Sequence, residues 1–332
     1  MNNRFAILLQ KFLTSYIIQE CNDSINTKDS YATAFYLFLQ FLKEKHQINS
    51  DDIKIELINK NTIMEYLNWL EEERGSSIQT RNQRLSAIKS FYKFVQTNEM
   101  DLFNTCSQIL NIQNKKSPDK IITYFSPDEI KIMINYLNKN NNLKLLTMIC
   151  VLYETGARVN EFINIKVSDI DLSDNASITL YGKGNKVRII PISEELVKII
   201  KKYLNIKYID YGEEYLFYSN RKKKFSRNTI NYNIDELVNT LHKLYPNKFN
   251  KKYHPHSFRH SKATHLYNNN TPLLYIKDFL GHKSVKSTEI YAKPDLGKQR
   301  EQILNNAIEI PSNKKYSKTR KESLDDWLKH NM

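Results

Sequence analysis

Glycine and proline are scarce in this chain of 332 residues, which contains 7 Gly and 8 Pro. So few turn-forming residues argue against a β-sandwich, which needs frequent turns, and against a disordered low-complexity chain. Hydrophobic residues make up 40% of the sequence, which is enough to form folded cores. The composition therefore favours a helical protein, and the length favours about two domains.

Cysteine is also scarce, and its three residues are scattered at Cys21, Cys106 and Cys150. Their spacing fits neither a metal site nor a disulfide framework, and an odd count is typical of a reducing compartment. No apolar run approaches the ~20 residues that a membrane span needs. The first apolar run is broken by Gln10 and Lys11, which indicates an amphipathic helix rather than a signal peptide. We therefore expect a cytoplasmic protein without a membrane partner.

Acidic residues are too few to balance the basic ones, since 50 Lys and Arg face 36 Asp and Glu and give a formal net charge of +14. Such an excess is what a phosphate backbone attracts. A membrane surface or a simple gain in solubility would also account for the charge. Of these alternatives, the composition favours nucleic acid.

Residues 1–110 are predicted to form a bundle of helices, because apolar residues recur there at helical spacing. The second helix is expected to have Thr27 or Asp29 as its N-cap. The fourth, over 77–96, presents Arg81, Arg84 and Lys89 on its outer face, with no acidic residue from 78 to 96. A solvated face is one interpretation, and contact with DNA phosphates is the one that we favour.

Residues 111–123 are polar and basic, contain Pro118 and are predicted to be a linker. A second domain begins near residue 124. Its first helix has a strong start signal, with Ser126 as the N-cap and Glu129 completing a capping box. A later helix is expected to begin at Ser193 with a capping box of its own.

Arg158 follows the glycine of an ETGARVNEF segment and stands at the start of a short predicted helix. A helix N-terminus disfavours a positive charge unless the backbone amides and the arginine both face an anion. The alternative is an ion pair between Arg158 and either Glu154 or Glu161. Both interpretations stay open at this point.

Residues 177–193 are predicted to form a β-hairpin, because apolar residues alternate on both sides of a glycine-containing turn. Lys183 lies at the tip, and Lys186 and Arg188 follow on the returning strand. The tip is either solvated or suited to reach into a DNA groove. A basic loop downstream carries further cations expected to contact DNA: Arg221, Lys222, Lys223, Lys224 and Arg227.

The stretch 253–294 holds a set of polar residues in a helical setting. His256 and Arg259 are three residues apart and share a helix face. His282 follows a helix that ends at a glycine, and Tyr291 comes nine residues later. These donors around a tyrosine predict a site that acts on a phosphodiester. The alternative is a helix pair whose polar residues face solvent.

Four segments, taken in order, resemble the conserved boxes of the tyrosine recombinases, or phage integrase family. TGARVNEFINIKVSDID resembles the first-arginine box, YGKGNKVRIIPI the lysine hairpin, HPHSFRHSKATHL the second-arginine box and LGHKSVKSTEIY the histidine-to-tyrosine box. The similarity covers residues 124–294, and Xer-like recombinases and related transposases are the most similar in pattern. The helices of 1–110 resemble, more loosely, the SAM-like core-binding domain of the family.

This resemblance implies a mainly α fold with a small β-sheet or hairpin in the C-terminal domain. It implies a helical DNA-binding domain over 1–110 and a catalytic domain over 124–294. The implied catalytic residues are Arg158, Lys183, His256, Arg259, His282 and Tyr291. Tyr291 would attack the scissile phosphate and form a 3′-phosphotyrosyl link, and Arg158 and Arg259 would bind the non-bridging oxygens.

The same resemblance implies that Lys183 protonates the leaving 5′-oxygen, that His256 assists as a base or an acid, and that His282 hydrogen-bonds the phosphate. Because a phosphotyrosyl link conserves the bond energy, no cofactor, ATP or metal is implied. The family acts as four protomers on two DNA duplexes, with accessory proteins in some systems. The tail 295–332, with apolar residues at Leu324, Trp327 and Leu328, is expected to carry a helix that docks on a neighbouring protomer.

The implied activity is site-specific cleavage and rejoining of DNA, which gives integration, excision, transposition or resolution. Two alternatives share the fold: a type IB topoisomerase-like enzyme that relaxes DNA, and a DNA-binding protein that has lost catalysis. A third alternative is a metal-dependent nuclease that uses His256 and His260, four residues apart on one helix. No carboxylate lies near that pair in the sequence, which argues against the nuclease.

Overall fold

A computed structural model describes residues 3–20, 25–118, 122–182, 186–207, 214–218, 223–292 and 324–331 of the chain. The chain divides into two compact units, Met1–Lys120 and Ile121–Met332. Among the described residues, the first unit contains helices and no strand, and the second combines helices with one three-stranded antiparallel sheet. The predicted mainly helical fold with a small sheet is therefore confirmed. None of the described helices is long and apolar enough to cross a membrane.

The described residues of the first unit form five α-helices, one π-helical segment and short 3-10 turns. The α-helices are α1 (Arg4–Lys11), α2 (Ile25–His46), α3 (Lys60–Glu72), α4 (Ile78–Asn98) and α5 (Phe103–Leu110). The π-helix is Phe12–Glu20, and the 3-10 turns are Ser50–Asp52, Ile55–Leu57 and Met100–Leu102. Helix α2 begins at Ile25, so both Thr27 and Asp29 lie inside the helix and the expectation that one of them caps it was wrong.

Aromatic side chains dominate the core of the first unit. Phe12 is fully buried, and its ring centroid lies 5.4 Å from that of Phe91 and 6.4 Å from that of Phe35. The edge-to-face geometry of both pairs is the arrangement that aromatic quadrupoles favour. The buried Tyr66 hydroxyl donates to the Ala34 carbonyl oxygen at 3.0 Å, so its polar end is satisfied within the core.

The second unit begins with three helices, continues through the sheet and ends in a further set of helices. Its α-helices are α6 (Pro127–Lys139), α7 (Leu143–Thr155), α8 (Val159–Phe162), α9 (Glu194–Lys207), α10 (Arg227–Leu244), α11 (Pro255–Asn268), α12 (Leu273–Leu280) and α13 (Leu324–Asn331). Its strands are β1 (Ile170–Asp171), β2 (Ser177–Tyr181) and β3 (Val187–Pro191). The 3-10 turns are Val167–Asp169, Val285–Ser287 and Glu289–Tyr291.

Local signals set several of these boundaries. The Ser126 hydroxyl accepts from the Glu129 amide at 3.2 Å, and the Glu129 carboxylate accepts from the Ser126 amide at 2.7 Å, which confirms the predicted capping box. Pro255 stands at the first position of α11, where its missing N–H costs nothing. Gly281 ends α12 with φ +64°, a left-handed conformation that glycine adopts without strain.

Only one of the two hydrogen bonds of the capping box expected at Ser193 is present. The Ser193 hydroxyl does accept from the Leu196 amide at 3.2 Å, as an N-cap should. The third helical residue is leucine and has no group to return the bond. The Ser193 amide instead donates to the Glu154 carboxylate at 2.9 Å, so α7 supplies the missing acceptor for α9.

The sheet confirms the predicted hairpin. Strand β2 pairs antiparallel with both β1 and β3, and Leu180 lies opposite Arg188 in the register. Because side chains alternate across a strand, Ile178, Leu180 and Ile190 turn inward and Tyr181 and Ile189 turn to solvent. Arg188 shares the inward side, and this position brings its guanidinium to the site described next.

Candidate active site

Arg158 lies in the sharp connection between α7 and α8. Gly156 ends α7 with φ +55°, and the chain turns so that Arg158 becomes the residue before the first turn of α8. The Arg158 amide donates to Glu161 Oε2 at 2.8 Å and its Nη1 donates to Glu161 Oε1 at 2.8 Å. The predicted alternative of an ion pair with Glu161 is therefore present. The Arg158 side chain is still 36% exposed, so one edge of its guanidinium remains open.

Glu161 is a buried carboxylate that holds two arginines at once. Arg188 reaches it from β3, with Nη2 donating to Oε2 at 2.9 Å and Nη1 donating to Oε1 at 3.2 Å. Burial raises the pKa of Glu161, but hydrogen bonds from Arg188 and from the Arg158 amide outweigh this and bring the pKa below its usual value. Glu161 is therefore ionised and fixes both guanidinium planes.

Arg259 is buried in α11 and is held by the backbone rather than by a carboxylate. Its side chain is 2% exposed, and it donates from Nη1 to the Gly156 carbonyl at 2.8 Å and from Nη2 to the Leu280 carbonyl at 2.5 Å. Burial lowers the pKa of Arg259 from its usual value, and the charges of Arg158 and Arg188 lower it further. The site therefore contains more positive charge than Glu161 can neutralise.

Gly281 allows the end of α12 to approach this arginine cluster. A Cβ at that position would lie 2.5 Å from Arg188 Nη1 and 2.9 Å from Arg188 Cδ. The Gly281 carbonyl in turn accepts from Arg158 Nη2 at 3.3 Å. Glycine is required here for its left-handed φ and also for its lack of a side chain.

His282 directly follows Gly281, and both its ring and its backbone amide have a hydrogen-bond partner. Its Nδ1 lies 2.9 Å from the hydroxyl oxygen of Thr288, which is fully buried, and its amide donates to the Lys277 carbonyl at 3.0 Å. Burial lowers the pKa of His282 to about 4, and Arg259 and Arg158 contribute to the shift. The imidazole is therefore neutral near pH 7 and can donate one hydrogen bond.

Tyr291 lies in the 3-10 turn after His282 and is 5% exposed. Its hydroxyl oxygen is 2.8 Å from His260 Nδ1, and its ring stacks on His282 with a centroid distance of 6.5 Å and an angle of 10°. Burial raises the pKa of Tyr291, and the charges of Arg259 and Arg158 oppose that shift. The phenol therefore stays protonated, but it lies within the field of the arginine cluster.

His256 begins a group of imidazoles along α11. Its ring centroid lies 6.0 Å from that of His260 and 6.3 Å from that of His254. Burial lowers the pKa of both His256 and His260 to about 4, and Arg259 is among the charges that lower both values. Among the described residues, no group of three or more His, Cys, Asp or Glu side chains is arranged to hold a metal ion. The interpretation of His256 and His260 as a metal pair gains no support from this geometry.

The structure brings five of the expected catalytic residues into one region: Arg158, His256, Arg259, His282 and Tyr291. Lys183, the sixth, lies outside the described residues. The alternative of a solvated helix pair is wrong, because Arg259 and Tyr291 are buried. Sequence reasoning assigned no role to Glu161 beyond a possible ion pair, and it considered His260 only as a metal ligand.

Two residues expected to contact DNA are instead buried in ion pairs, which corrects those expectations. Arg81 is 4% exposed, and its Nε lies 2.8 Å from the Glu71 carboxylate, which Lys115 also approaches at 2.7 Å. The Arg188 side chain is 9% exposed and paired with Glu161. Neither guanidinium is free to neutralise a phosphate.

The remaining expected DNA contacts differ in their exposure. Arg84 and Lys89 on α4 are half-buried, and Arg84 Nη1 donates to the Ser30 carbonyl at 3.2 Å. Lys186, Lys223, Lys224 and Arg227 are exposed. Lys224 Nζ donates to Asn164 Oδ1 at 2.7 Å, and Arg227 Nε donates to Asn160 Oδ1. Arg221 and Lys222 lie outside the described residues.

Comparison with known sequences finds the same two units. Residues 123–297 match the sequence model of the phage integrase family, and residues 8–102 match that of the phage integrase N-terminal SAM-like domain. A tyrosine recombinase XerA of Pyrococcus horikoshii is 30% identical over 294 residues, covering 79% of this chain and 96% of that protein. A tyrosine recombinase XerC of Caldanaerobacter subterraneus is 27% identical over 321 residues, covering 92% of this chain and 88% of that protein.

Solved structures with a similar fold include several recombinases. A crystal structure of XerA recombinase is 30% identical, with a TM-score of 0.50, and the match covers 92% of this chain and 99% of that one. XerH bound to its palindromic difH substrate is 21% identical with a TM-score of 0.67, covering 85% and 80% of the two chains. The Tn1549 transposon integrase in complex with transposon right end DNA is 16% identical with a TM-score of 0.68, covering 91% and 99%. At these low identities the last two matches show the shared fold alone.

Proposed function

The chain belongs to the phage integrase family, and from that premise we propose that it is a tyrosine recombinase that cuts and rejoins DNA strands at specific sites. The observation that carries the proposal is a buried tyrosine within the field of an under-neutralised arginine cluster. A phosphodiester is an anion, and its two non-bridging oxygens suit the paired N–H donors of a guanidinium. The nucleophile, the anion donors and neutral imidazoles thus occur together in one unit.

Each residue has a distinct part in the proposed reaction. The Tyr291 oxygen attacks the scissile phosphorus and forms a 3′-phosphotyrosyl link, while the bond to the 5′-oxygen breaks. Arg158 and Arg259 donate to the non-bridging oxygens, where negative charge accumulates in the transition state. Glu161 fixes the guanidinium of Arg158, so that its open edge is oriented before DNA arrives.

Proton transfer completes the scheme. Lys183 protonates the leaving 5′-oxygen, and His282 donates a hydrogen bond to a phosphate oxygen. His256, which lies on α11, assists the proton transfers. Rejoining is the reverse attack by a 5′-hydroxyl on the phosphotyrosine. Because that link retains the energy of the phosphodiester bond, the reaction is proposed to need neither ATP nor a metal ion.

Binding to duplex DNA is proposed to use the cations that are not buried in ion pairs. These are Arg84, Lys89, Lys186, Lys223, Lys224 and Arg227, with Arg221, Lys222 and the tip lysine Lys183 from the parts of the chain not described. The formal net charge of +14 supports this assignment, because release of counterions from DNA favours a basic protein.

The proposed partners are a specific target duplex and further copies of the chain, in a tetramer that holds two duplexes, together with accessory proteins. The biological outcome is integration, excision, transposition or resolution. The protein is proposed to act in the cytoplasm, associated with the nucleoid when bound to DNA. Helix α13 is proposed to dock on a neighbouring protomer, and its Leu328 is 40% exposed.

A suicide-substrate assay tests the proposal. Wild type and Tyr291→Phe are incubated, with EDTA present, with nicked duplexes taken from the regions that flank the coding sequence. A nick next to the cleavage site lets the leaving fragment diffuse away, so the covalent complex accumulates and is seen on a denaturing gel. We expect a covalent band from wild type and none from Tyr291→Phe.

Four outcomes would count against the proposal. A covalent band from Tyr291→Phe would refute the nucleophile, and cleavage that EDTA abolishes would favour a metal-dependent nuclease. Specific binding without any adduct would favour the DNA-binding protein that lacks catalysis. Relaxation of supercoiled DNA without recombination would favour a topoisomerase-like enzyme.

A further inference from the structure

The hydroxyl of Tyr291 has a hydrogen-bond partner that the proposed scheme does not use. His260 Nδ1 lies 2.8 Å from the Tyr291 oxygen, and the two ring centroids are 5.6 Å apart. His260 stands on the helix that carries Arg259, one position further along, and is half-buried. A ring nitrogen at hydrogen-bond distance from the oxygen of a nucleophile meets the first geometric requirement for a general base.

The two other active-site imidazoles are placed for different contacts. His282 presents the face of its ring to Tyr291, at an angle of 10°, and its Nδ1 is engaged with Thr288 at 2.9 Å. The ring centroid of His256 lies 6.0 Å from that of His260 and 6.3 Å from that of His254. Of these three imidazoles, His260 is the one whose ring nitrogen lies at hydrogen-bond distance from the phenol.

We propose that His260 is a further catalytic residue, whose Nδ1 accepts the proton of Tyr291 while the phenol oxygen bonds to phosphorus. This proposal rests on the proposed function, since it concerns the same nucleophile. It divides proton transfer between two groups on opposite sides of the phosphorus. His260 receives a proton on the entering side, and Lys183 gives one on the leaving side.

The atoms and electrons balance over the step. The O–H bond of Tyr291 breaks and a bond from His260 Nδ1 to that proton forms, leaving His260 as an imidazolium. The Tyr291 oxygen bonds to phosphorus as the bond from phosphorus to the 5′-oxygen breaks. The 5′-oxygen takes the Lys183 proton and leaves as a hydroxyl. In rejoining, His260 returns its proton to the Tyr291 oxygen and Lys183 accepts one from the 5′-hydroxyl.

The surroundings of His260 supply a reason for the base to act when DNA is bound. Burial and, to a smaller degree, the charges of the groups that face it (His256, His254, Arg259 and His282) together lower its pKa to about 4. The imidazole is therefore neutral in the free protein and able to accept a hydrogen bond. A phosphate that enters beside Arg259 brings negative charge, which raises the pKa of His260 and strengthens the base.

Substrates with a sulfur atom in place of the bridging 5′-oxygen separate the two proton transfers. A thiolate leaves without being protonated, so such a substrate removes the need for Lys183 but not the need for a base at Tyr291. We expect Lys183→Ala to be slow on the oxygen substrate and restored on the sulfur substrate. We expect His260→Ala to be about 100-fold slower than wild type on both. His242→Gln, at an exposed histidine of α10, is the matched control and should retain the wild-type rate.

His260→Gln distinguishes a base from a residue that only positions the tyrosine. Glutamine can keep a hydrogen bond to the phenol, but it cannot take up the proton. We expect His260→Gln to be as slow as His260→Ala, and the acid limb of the wild-type pH–rate profile to be absent from both. A rate restored by glutamine would overturn the catalytic role, as would His260→Ala at the wild-type rate or restored by sulfur. Circular dichroism checks that each variant is folded.

A DNA-free measurement tests the contact itself. Fluorotyrosine is placed at position 291 and its ¹⁹F resonance is followed from pH 7 to pH 4. We expect the resonance to move further in the otherwise wild-type protein than in His260→Ala, where the stacked His282 still becomes protonated but the imidazole bonded to the phenol is missing. Identical titrations would overturn the proposed contact. Failure of wild type to form any covalent adduct would refute the proposed function as well, whereas an active wild type with a fully active His260→Ala would refute this inference alone.

Discussion

Each of the two units contains a buried arginine, and the two are stabilised in opposite ways. Arg81 in the first unit lies against the Glu71 carboxylate, which Lys115 also approaches. Arg259 in the second unit donates to the Gly156 and Leu280 carbonyl oxygens, which carry no formal charge. A neutralised guanidinium supports structure, and an un-neutralised one is available to an anion. In this chain, the buried arginine that lacks a carboxylate partner is the one whose charge remains available in the candidate active site.

The largest expected effect is on the nucleophile that the second unit carries. Tyr291→Phe removes the attacking oxygen and should lower covalent adduct formation by on the order of 10⁴-fold or more. DNA binding, measured by gel shift, should stay near the wild-type level because the cations are untouched. Tyr275→Phe, at a 70% exposed tyrosine of α12, is the control and should cleave normally. Loss of binding by Tyr291→Phe would show that the phenol is needed for structure.

Replacing the two buried arginines tests the comparison directly. Arg259→Ala should slow cleavage by about 10³-fold, because it removes donors to the transition-state oxygens. Arg81→Ala should leave the cleavage rate unchanged and destabilise the protein by roughly 1–3 kcal/mol, because Glu71 loses a partner. Rates come from the suicide substrate and stabilities from thermal melting.

Binding of a simple anion tests the same difference between the paired Arg81 and the arginine cluster without DNA. Inorganic phosphate should raise the melting temperature of wild type and of Arg81→Ala, but not that of Arg158→Ala or Arg259→Ala. A rise of equal size in all four proteins would mean that phosphate binds elsewhere. The arginine cluster would then not be an anion site.

Two glycines with a positive φ provide a matched pair of substitutions. Gly75→Ala in the first unit should cost about 1–2 kcal/mol from backbone strain alone, because a Cβ there meets nothing within 4 Å. Gly281→Ala has a similar φ but directs its Cβ into Arg188, so it should cost more and also slow cleavage. Melting and single-turnover cleavage of both variants give the comparison. Equal losses of stability with normal cleavage in both would indicate that Arg188 moves aside freely.

The histidines of the second unit predict how stability depends on pH. The pKa values of His256, His260 and His282 are lowered to about 4 in the folded protein, below the ordinary value of about 6.5. The unfolded chain therefore binds more protons between these values, and stability should fall as pH drops from about 6.5 towards 4. Melting curves across this range check the direction. Bound phosphate should weaken the dependence, because its negative charge favours the imidazolium forms.

The smallest expected effect concerns the exposed cations. Lys223→Ala should weaken DNA binding modestly and reduce the slope of log affinity against log salt by about 1. Arg81→Ala should leave that slope unchanged, because its guanidinium is already paired. Binding titrations at several salt concentrations measure both slopes. A slope changed by Arg81→Ala would return this residue to the DNA contacts.

Features of the fold that depend on neighbouring residues were predictable from the sequence. The Ser126–Glu129 capping box, the start of α11 at Pro255 and the end of α12 at Gly281 each follow from residues within one turn. The hairpin follows from alternation around a glycine-containing turn. Such signals act locally, so their outcome does not depend on which other segments pack nearby.

The errors at Arg81, Arg188 and Ser193 share a different cause, since each depends on a partner from another element. Arg81 was expected to contact DNA because no acid lies from 78 to 96, and Arg188 because it follows the hairpin tip. Instead, Glu71 reaches Arg81 from α3 and Glu161 reaches Arg188 from α8. Ser193 takes its second cap bond from Glu154, which lies 39 residues away. His260 and Tyr291 meet across 31 residues of sequence. Periodicity shows which face of a helix turns inward, but it does not show which side chain that face will meet.

The bonds that hold Arg259 also bear on how this site tolerates mutation. Its acceptors are main-chain oxygens at the C-terminal ends of α7 and α12, where helix dipoles add partial negative charge. Every amino acid has a carbonyl oxygen, so replacing the side chain of an acceptor residue does not remove the acceptor. Changes of side chain at the acceptor residues can therefore weaken the hold on Arg259 only by altering the path of the backbone. The two helix ends should accept varied side chains wherever the left-handed glycines that follow them are kept.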